Sequence, residues 1–281
     1  MLRRERSIRQ VLHLPWTEVP VGRTHIPLDW AFGSGVQAVT LVSRISKDWY
    51  LENYFSYYAA IDGLAPTPGH AELRPKELRE AVGVLYETTD PKAGIVGCFE
   101  CHSTGPVSLG AEGAIRLTET GVRCEVCHGP GSQHVQTPAK ESIANPRRIS
   151  ATQMNEFCGR CHRTPGSDGS TPDWNYSWNV RHQPIYIGQS ACFTKSEGAL
   201  SCLTCHQPHE GLRTNDAAFY AERCAGCHNA GTRPPAATCS TDSGSSCIDC
   251  HMPRVSPQAY LQFTNHWIGV YGEGAKLKPL R

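Results

Sequence analysis

Six copies of Cys-x-x-Cys-His constrain this 281-residue chain more than anything else in it. They read Cys98-Phe-Glu-Cys101-His102, Cys124-Glu-Val-Cys127-His128, Cys158-Gly-Arg-Cys161-His162, Cys202-Leu-Thr-Cys205-His206, Cys224-Ala-Gly-Cys227-His228 and Cys247-Ile-Asp-Cys250-His251. With 14 Cys and 13 His in the chain, composition alone would supply about 0.03 such matches. Two thiols at this spacing can add across the vinyl groups of one haem, and the adjoining histidine can then ligate its iron. Structural zinc and disulfide frameworks also use cysteine pairs, but neither needs a histidine directly after every second cysteine. The pattern predicts six haem c groups, with the twelve motif cysteines as attachment points. His102, His128, His162, His206, His228 and His251 are then the proximal iron ligands.

Hydrophobic residues make up only 39% of the chain, and it carries 26 Gly and 20 Pro. That composition points to a loop-rich fold in which porphyrins supply missing apolar surface. The expected class is mainly α with extensive loops and a small β-hairpin, a multihaem cytochrome c fold organised around six covalently bound haems. All 14 cysteines lie between Cys98 and Cys250. Residues 1–95 therefore read as an N-terminal arm and β-hairpin region without haem motifs, and residues 96–281 as a hexahaem domain. The hairpin pairs Val36–Ser43 with the aromatic run Trp49–Tyr58 around a turn at Ser46–Asp48. Those aromatics are expected to pack on the nearest haems. The spacing of Leu78, Val82 and Leu85 predicts a helix over 75–86. Ser150 is an expected N-cap for a helix reaching the third motif, and Asn215 or Asp216 for one reaching the fifth.

The formal charge is +1 and the 27 basic residues are scattered, so no nucleic-acid surface is expected. No apolar run has membrane length, so no integral membrane segment is expected. Covalent haem attachment takes place outside the cytoplasm, which implies an exported, periplasmic or extracellular protein. Residues 1–15 contain no apolar stretch of the secretory kind; the haem chemistry is the stronger signal.

Seven histidines remain after the proximal ligands: His13, His25, His70, His134, His182, His209 and His266. Six irons with two histidines each need six of them, which leaves one to spare. His134 follows a Gly-Pro-Gly turn that can swing its imidazole toward a neighbouring haem. Apart from Met1, only Met154 and Met252 could offer a thioether, so low reduction potentials are expected. Cys192 and Cys239 lie outside the motifs, and a disulfide between them is the simple expectation in an oxidising compartment.

Gly121–Val135, Leu200–His209 and Cys247–Pro253 resemble segments of exported multihaem cytochromes. The grouping is the broad one related to hydroxylamine-oxidoreductase-type and pentahaem nitrite-reductase-type proteins, and the likeness covers roughly residues 60–270. The resemblance implies that His134, His209 and His266 are distal ligands, and that the haems lie in close parallel and perpendicular pairs. No Cys-x-x-Cys-Lys motif of the nitrite-reductase kind occurs here, and no tyrosine is distinguished as a haem cross-link. The expected function is electron transfer along six bis-histidine haems, with other redox proteins or copies of the same chain as partners. In a filament of such copies, His13 or His25 could ligate a haem of the next subunit. The alternative is an oxidoreductase acting on a small nitrogen or sulfur compound at one open haem.

Overall fold

The computed structural model describes residues 18–21, 24–74, 76, 78–89, 94–163, 172–214, 216–228 and 246–280. His13, Asn215 and Cys239 lie outside the described residues. The chain divides into two compact units, Met1–Ala144 with Gln258–Leu261, and Asn145–Pro257 with Gln262–Arg281.

The first unit is built on β-structure. Strands β1 (Glu18–Val21) and β2 (Thr24–Pro27) form an antiparallel pair. Strands β3 (Trp30–Phe32), β4 (Ala38–Arg44), β5 (Trp49–Tyr58) and β6 (Gly63–Pro66) follow in order in one sheet. A short helix α1 (Leu78–Ala81) precedes β7 (Gly83–Glu87), which completes the five strands by pairing with β5. β5 is long enough to divide one edge between two partners: Trp49–Asn53 faces β7 and Phe55–Tyr58 faces β6. The expected hairpin exists as β4–β5, with Ser43 opposite Leu51, but it is the middle of a larger sheet.

Helix α2 (Gly94–His102) lays Ile95 and Phe99 against that sheet. With Val42, Tyr50 and Ile115 they form a core, and Trp30, Phe32 and Tyr86 pack around it. The Phe99 ring meets Trp30 at 5.2 Å and Phe32 at 5.0 Å, both edge-on, the geometry that aromatic quadrupoles favour. The Tyr50 hydroxyl accepts from the Ile115 amide at 3.0 Å. Of the aromatic run, Tyr50 belongs to this core and Tyr58 is also buried, whereas Trp49 and Phe55 are exposed. Strands β8 (Ser103–Leu109) and β9 (Ile115–Thr120) pair beyond α2, and α3 (Cys124–His128) and α4 (Ser132–Gln136) follow.

The second unit is made of short helices. They are α5 (Ala151–His162), α6 (Gln183–Gly188), α7 (Ala191–Thr194), α8 (Cys202–Cys205), α9 (Ala217–His228) and α10 (Cys247–His251). Strands β10 (Arg254–Gln258) and β11 (Leu261–Thr264) pair after them. A second core of Val180, Ile185, Tyr186 and Val255 is ringed by Trp174, Phe263, Trp267 and Leu277. Ser150 caps α5 as expected, in a reciprocal box with Gln153. Asp216 accepts the Phe219 amide at 2.9 Å at the start of α9.

Two expectations are corrected. The described residues are not mainly α: helix accounts for 34% of them and strand for 24%, in several antiparallel sheets. Val, Ile, Tyr and Phe are concentrated in residues 38–66, and they pack well on a pleated surface. Nor does residues 75–86 form one helix. Gly83 has φ +143°, and a Cβ there would lie 2.0 Å from the Glu52 carbonyl oxygen. Only glycine permits that approach, and it lets Val84 and Leu85 pair with β5 after a single helical turn.

Candidate functional site

Each of the six motifs folds into one helical turn. The motif closes α2, α5 and α9, it constitutes α3 and α10, and in α8 the histidine follows directly after the turn. Cysteines three apart on a helix share a face, so both thiols of a pair point the same way. The first unit holds the pairs Cys98/Cys101 and Cys124/Cys127; the second holds Cys158/Cys161, Cys202/Cys205, Cys224/Cys227 and Cys247/Cys250. Among the described residues no group of three or more His, Cys, Asp and Glu converges as a metal-ion cluster. The donor set is distributed, one histidine to each thiol pair.

The imidazoles show how they are aimed. His128 Nδ1 lies 2.7 Å from the Ala144 carbonyl, His251 Nδ1 2.9 Å from Gly269, and His266 Nδ1 2.9 Å from Thr264. His134 Nδ1 lies 3.1 Å from the Ala139 carbonyl and 3.0 Å from Ser142 Oγ. A carbonyl can only accept, so Nδ1 carries the proton in each ring and Nε2 keeps its lone pair. A neutral imidazole with a hydrogen-bonded second nitrogen is the form that ligates a metal.

In the second unit two of the expected ligands come together. The rings of His206 and His266 have centroids 6.1 Å apart and planes 24° apart. Burial, then the neighbouring His206, pushes His266 down to about 4, and burial with the nearby His162 lowers His206. Both imidazoles are therefore held neutral. His206 also faces the Tyr220 ring at 6.5 Å. An open cleft of about 200 Å³ adjoins them, lined by Cys205, His206, Arg213, Phe219 and Tyr220 among others. Arg213 stands at its edge between Glu210 at 3.0 Å and Asp216 at 3.4 Å.

Thiols of successive motifs also approach. A hydrogen bond from Cys202 holds the Cys158 thiol down at about 7, while the same contact, with burial, raises Cys202. Burial, then Cys247, Cys205 and Cys192, pushes Cys224 up to about 11. Cys202 Sγ reaches Asn155 Oδ1 on α5 at 3.9 Å. Met154 is buried with its sulfur 3.9 Å from Cys158.

The other expected ligands are scattered. His25 lies on β2 and is exposed, as is His209 after α8. His182 joins a 3₁₀ turn (Ser177–Arg181) to α6; burial, then Arg163 and Arg181, pushes it down to about 4, and its buried Nε2 has no hydrogen-bond partner. His70 is buried in the first unit, 3.3 Å from Glu52. His102 lies beside the Phe32 ring at 5.1 Å. His162 and His228 end α5 and α9 and are exposed. Cys192 is partly buried on α7, and its expected disulfide partner is outside the described residues. Sequence reasoning missed Glu52, Arg213 and Tyr220. Only Glu52 left a signal, as a lone carboxylate inside an aromatic strand.

No family model matches the chain. Over 216 residues it is 23% identical to the multihaem cytochrome MtrA of Shewanella baltica, covering 68% of this chain and 62% of that one. It is 27% identical over 165 residues to the C-type polyhaem cytochrome OmcC of Geobacter sulfurreducens, covering 43% of this chain and 21% of the relative. The relatives are multihaem c-type cytochromes. The chain spans about three fifths of the length of the first and a fifth of the second. Among solved structures, the outer cell wall cytochrome OcwA matches with a TM-score of 0.47 and 17% identity, over 94% of this chain and 71% of that one. No helix among the described residues is long and apolar enough to cross a membrane.

Proposed function

We propose that the chain is an electron-transfer protein holding six haem c groups, one at each Cys-x-x-Cys-His turn. The observation that carries this reading is the His206–His266 pair. Two metal–nitrogen bonds of about 2 Å and two ring radii of about 1.1 Å put coaxial imidazole centroids about 6 Å apart. The observed separation is 6.1 Å, and the Thr264 carbonyl leaves Nε2 of His266 as the donor. His206 and His266 would then hold one iron between them. The unpartnered Nε2 of His182 and the Nδ1 anchoring of His128, His134 and His251 fit the same use.

Haem iron supplies reversible one-electron storage when bound. The chain's residues do the rest. Paired thiols on one helical face would hold each macrocycle, and histidines of the chain would ligate its iron. Phe219 and Tyr220 give the cleft at Cys205–His206 apolar walls, and Arg213 offers a cation to carboxylates at its edge. The approach of Cys158 to Cys202 and of Cys224 to Cys247 supports close spacing of successive haems in the second unit. Other redox proteins or further copies of the chain are the partners in this reading, in a compartment outside the cytoplasm where haem attachment takes place.

The test is a pyridine-haemochrome count with low-temperature EPR of the oxidised protein and optical spectra of the reduced protein under carbon monoxide. Six haems per chain, all low-spin and unresponsive to carbon monoxide, are expected. A high-spin signal with one carbon-monoxide-binding haem would replace the electron-transfer reading with that of an enzyme.

A further inference from the structure

His70, one of the expected distal histidines, has a carboxylate against its ring. It is 5% exposed, following β6, and its Nε2 lies 3.3 Å from Glu52 Oε2. The same Glu52 oxygen accepts the Tyr86 hydroxyl at 2.9 Å. Glu52 sits on β5 and Tyr86 on β7, in a pair whose register places Glu52 opposite Val84 and Tyr50 opposite Tyr86. Tyr86 in turn packs on the core that holds Ile95 and Phe99 of α2, the helix bearing the first motif. Burial, then Glu52, raises the Tyr86 phenol, so it stays protonated and donates. The other nitrogen of the ring, Nδ1 of His70, is buried and has no hydrogen-bond partner. Buried polar atoms in native structures find a partner.

We propose that Glu52 is a positioning residue that holds His70 by Nε2–H so that the imidazole meets a haem iron through Nδ1, and that its charge makes that haem the hardest to reduce in the first unit. The inference rests on the haem reading above but concerns an arrangement opposite to that of the other histidines. In His128, His134, His251 and His266, Nδ1 donates to a neutral acceptor. In His70 the roles are exchanged, and the acceptor is an anion. A carboxylate drawing on the N–H of a ligating imidazole makes the ring more electron-rich. An electron-rich axial ligand favours the oxidised iron and lowers the reduction potential. Tyr86 tempers this, because its hydroxyl occupies the oxygen that faces His70. The two residues therefore act with opposite signs.

The experiment uses the haem-loaded full chain and follows each reduction step by a potentiometric titration of the visible bands, with EPR of the oxidised state. Glu52→Gln keeps the shape and removes the charge; one reduction step is expected to move to more positive potential, the others staying in place. Tyr86→Phe keeps the packing and frees the shared oxygen; the same step is expected to move the other way. His70→Ala is expected to open one iron to carbon monoxide with the haem count unchanged. A structural role alone would not produce opposite shifts of one step. Unmoved steps in both Glu52→Gln and Tyr86→Phe, or an all-low-spin His70→Ala protein, overturn the proposal. If Glu52→Gln does not fold, the Tyr86→Phe shift decides. A wild-type chain without covalently bound haem overturns the reading beneath it, and the haem count separates that outcome from the others.

Discussion

His206 and His266 face each other across 6.1 Å, centroid to centroid, although one follows α8 and the other follows β11. The contact is anchored from the far side. Ser190 Oγ donates to the His266 carbonyl at 3.1 Å and accepts from the Ile268 amide at 2.8 Å, while Asn265 accepts the Trp267 amide at 2.9 Å. The segment bearing His266 is thus fixed on both flanks.

His266→Ala should therefore open one iron and no other. The expected result is a high-spin signal and carbon monoxide binding by about one haem per chain, with the haem count unchanged. An all-low-spin variant would mean that His266 serves no iron.

Gly83→Ala should weaken the first unit. The substitution forces an L side chain to φ +143° and into the Glu52 carbonyl; the backbone strain alone costs roughly 1–3 kcal/mol. Thermal denaturation should show a lowered midpoint. An unchanged midpoint would mean that β7 does not pair with β5 as described.

Ser150→Ala removes the side chain that accepts the Gln153 amide at 3.2 Å. The loss should be about 1 kcal/mol, read as a lower denaturant midpoint with an unchanged slope. A null effect would argue that α5 is held by packing alone.

Two buried tyrosines should respond oppositely to loss of their hydroxyls. Tyr58 donates to the Pro66 carbonyl at 2.6 Å and accepts from Gln258 at 3.0 Å, so Tyr58→Phe should cost about 1 kcal/mol. The Tyr186 hydroxyl is buried with no partner, so Tyr186→Phe should leave stability unchanged or raise it.

The same pair predicts alkaline behaviour. Burial pushes both phenols up from 10.0 to about 12. The folded state therefore keeps protons that the unfolded chain loses. Their contribution is complete below pH 10 and is lost as the pH rises from 10 to 12. Denaturant midpoints across that range should fall, and Tyr58→Phe should flatten the fall.

The functional elements were legible where local chemistry decides them. Six identical motifs, the Ser150 cap and the Asp216 cap depend on neighbours along the chain. The five-stranded sheet did not announce itself, because β7 exists only through its pairing with β5. Leu78, Val82 and Leu85 have helical spacing, and tertiary pairing at Gly83 overrides it. The His206–His266 relation was equally invisible, since β10 and β11 bring the second ring into place. Glu52 looked like one charge among aromatics until His70 and Tyr86 closed on it.

His128, His251 and His266 each aim by donating to a main-chain carbonyl, those of Ala144, Gly269 and Thr264. A carbonyl is present whichever residue bears it. The direction of these rings is therefore insulated from side-chain substitution at the anchoring positions and is exposed only to changes in the path of the backbone. A chain built this way has room to redecorate the protein around its imidazoles, altering charge, polarity and surface, while the imidazoles themselves keep their bearing.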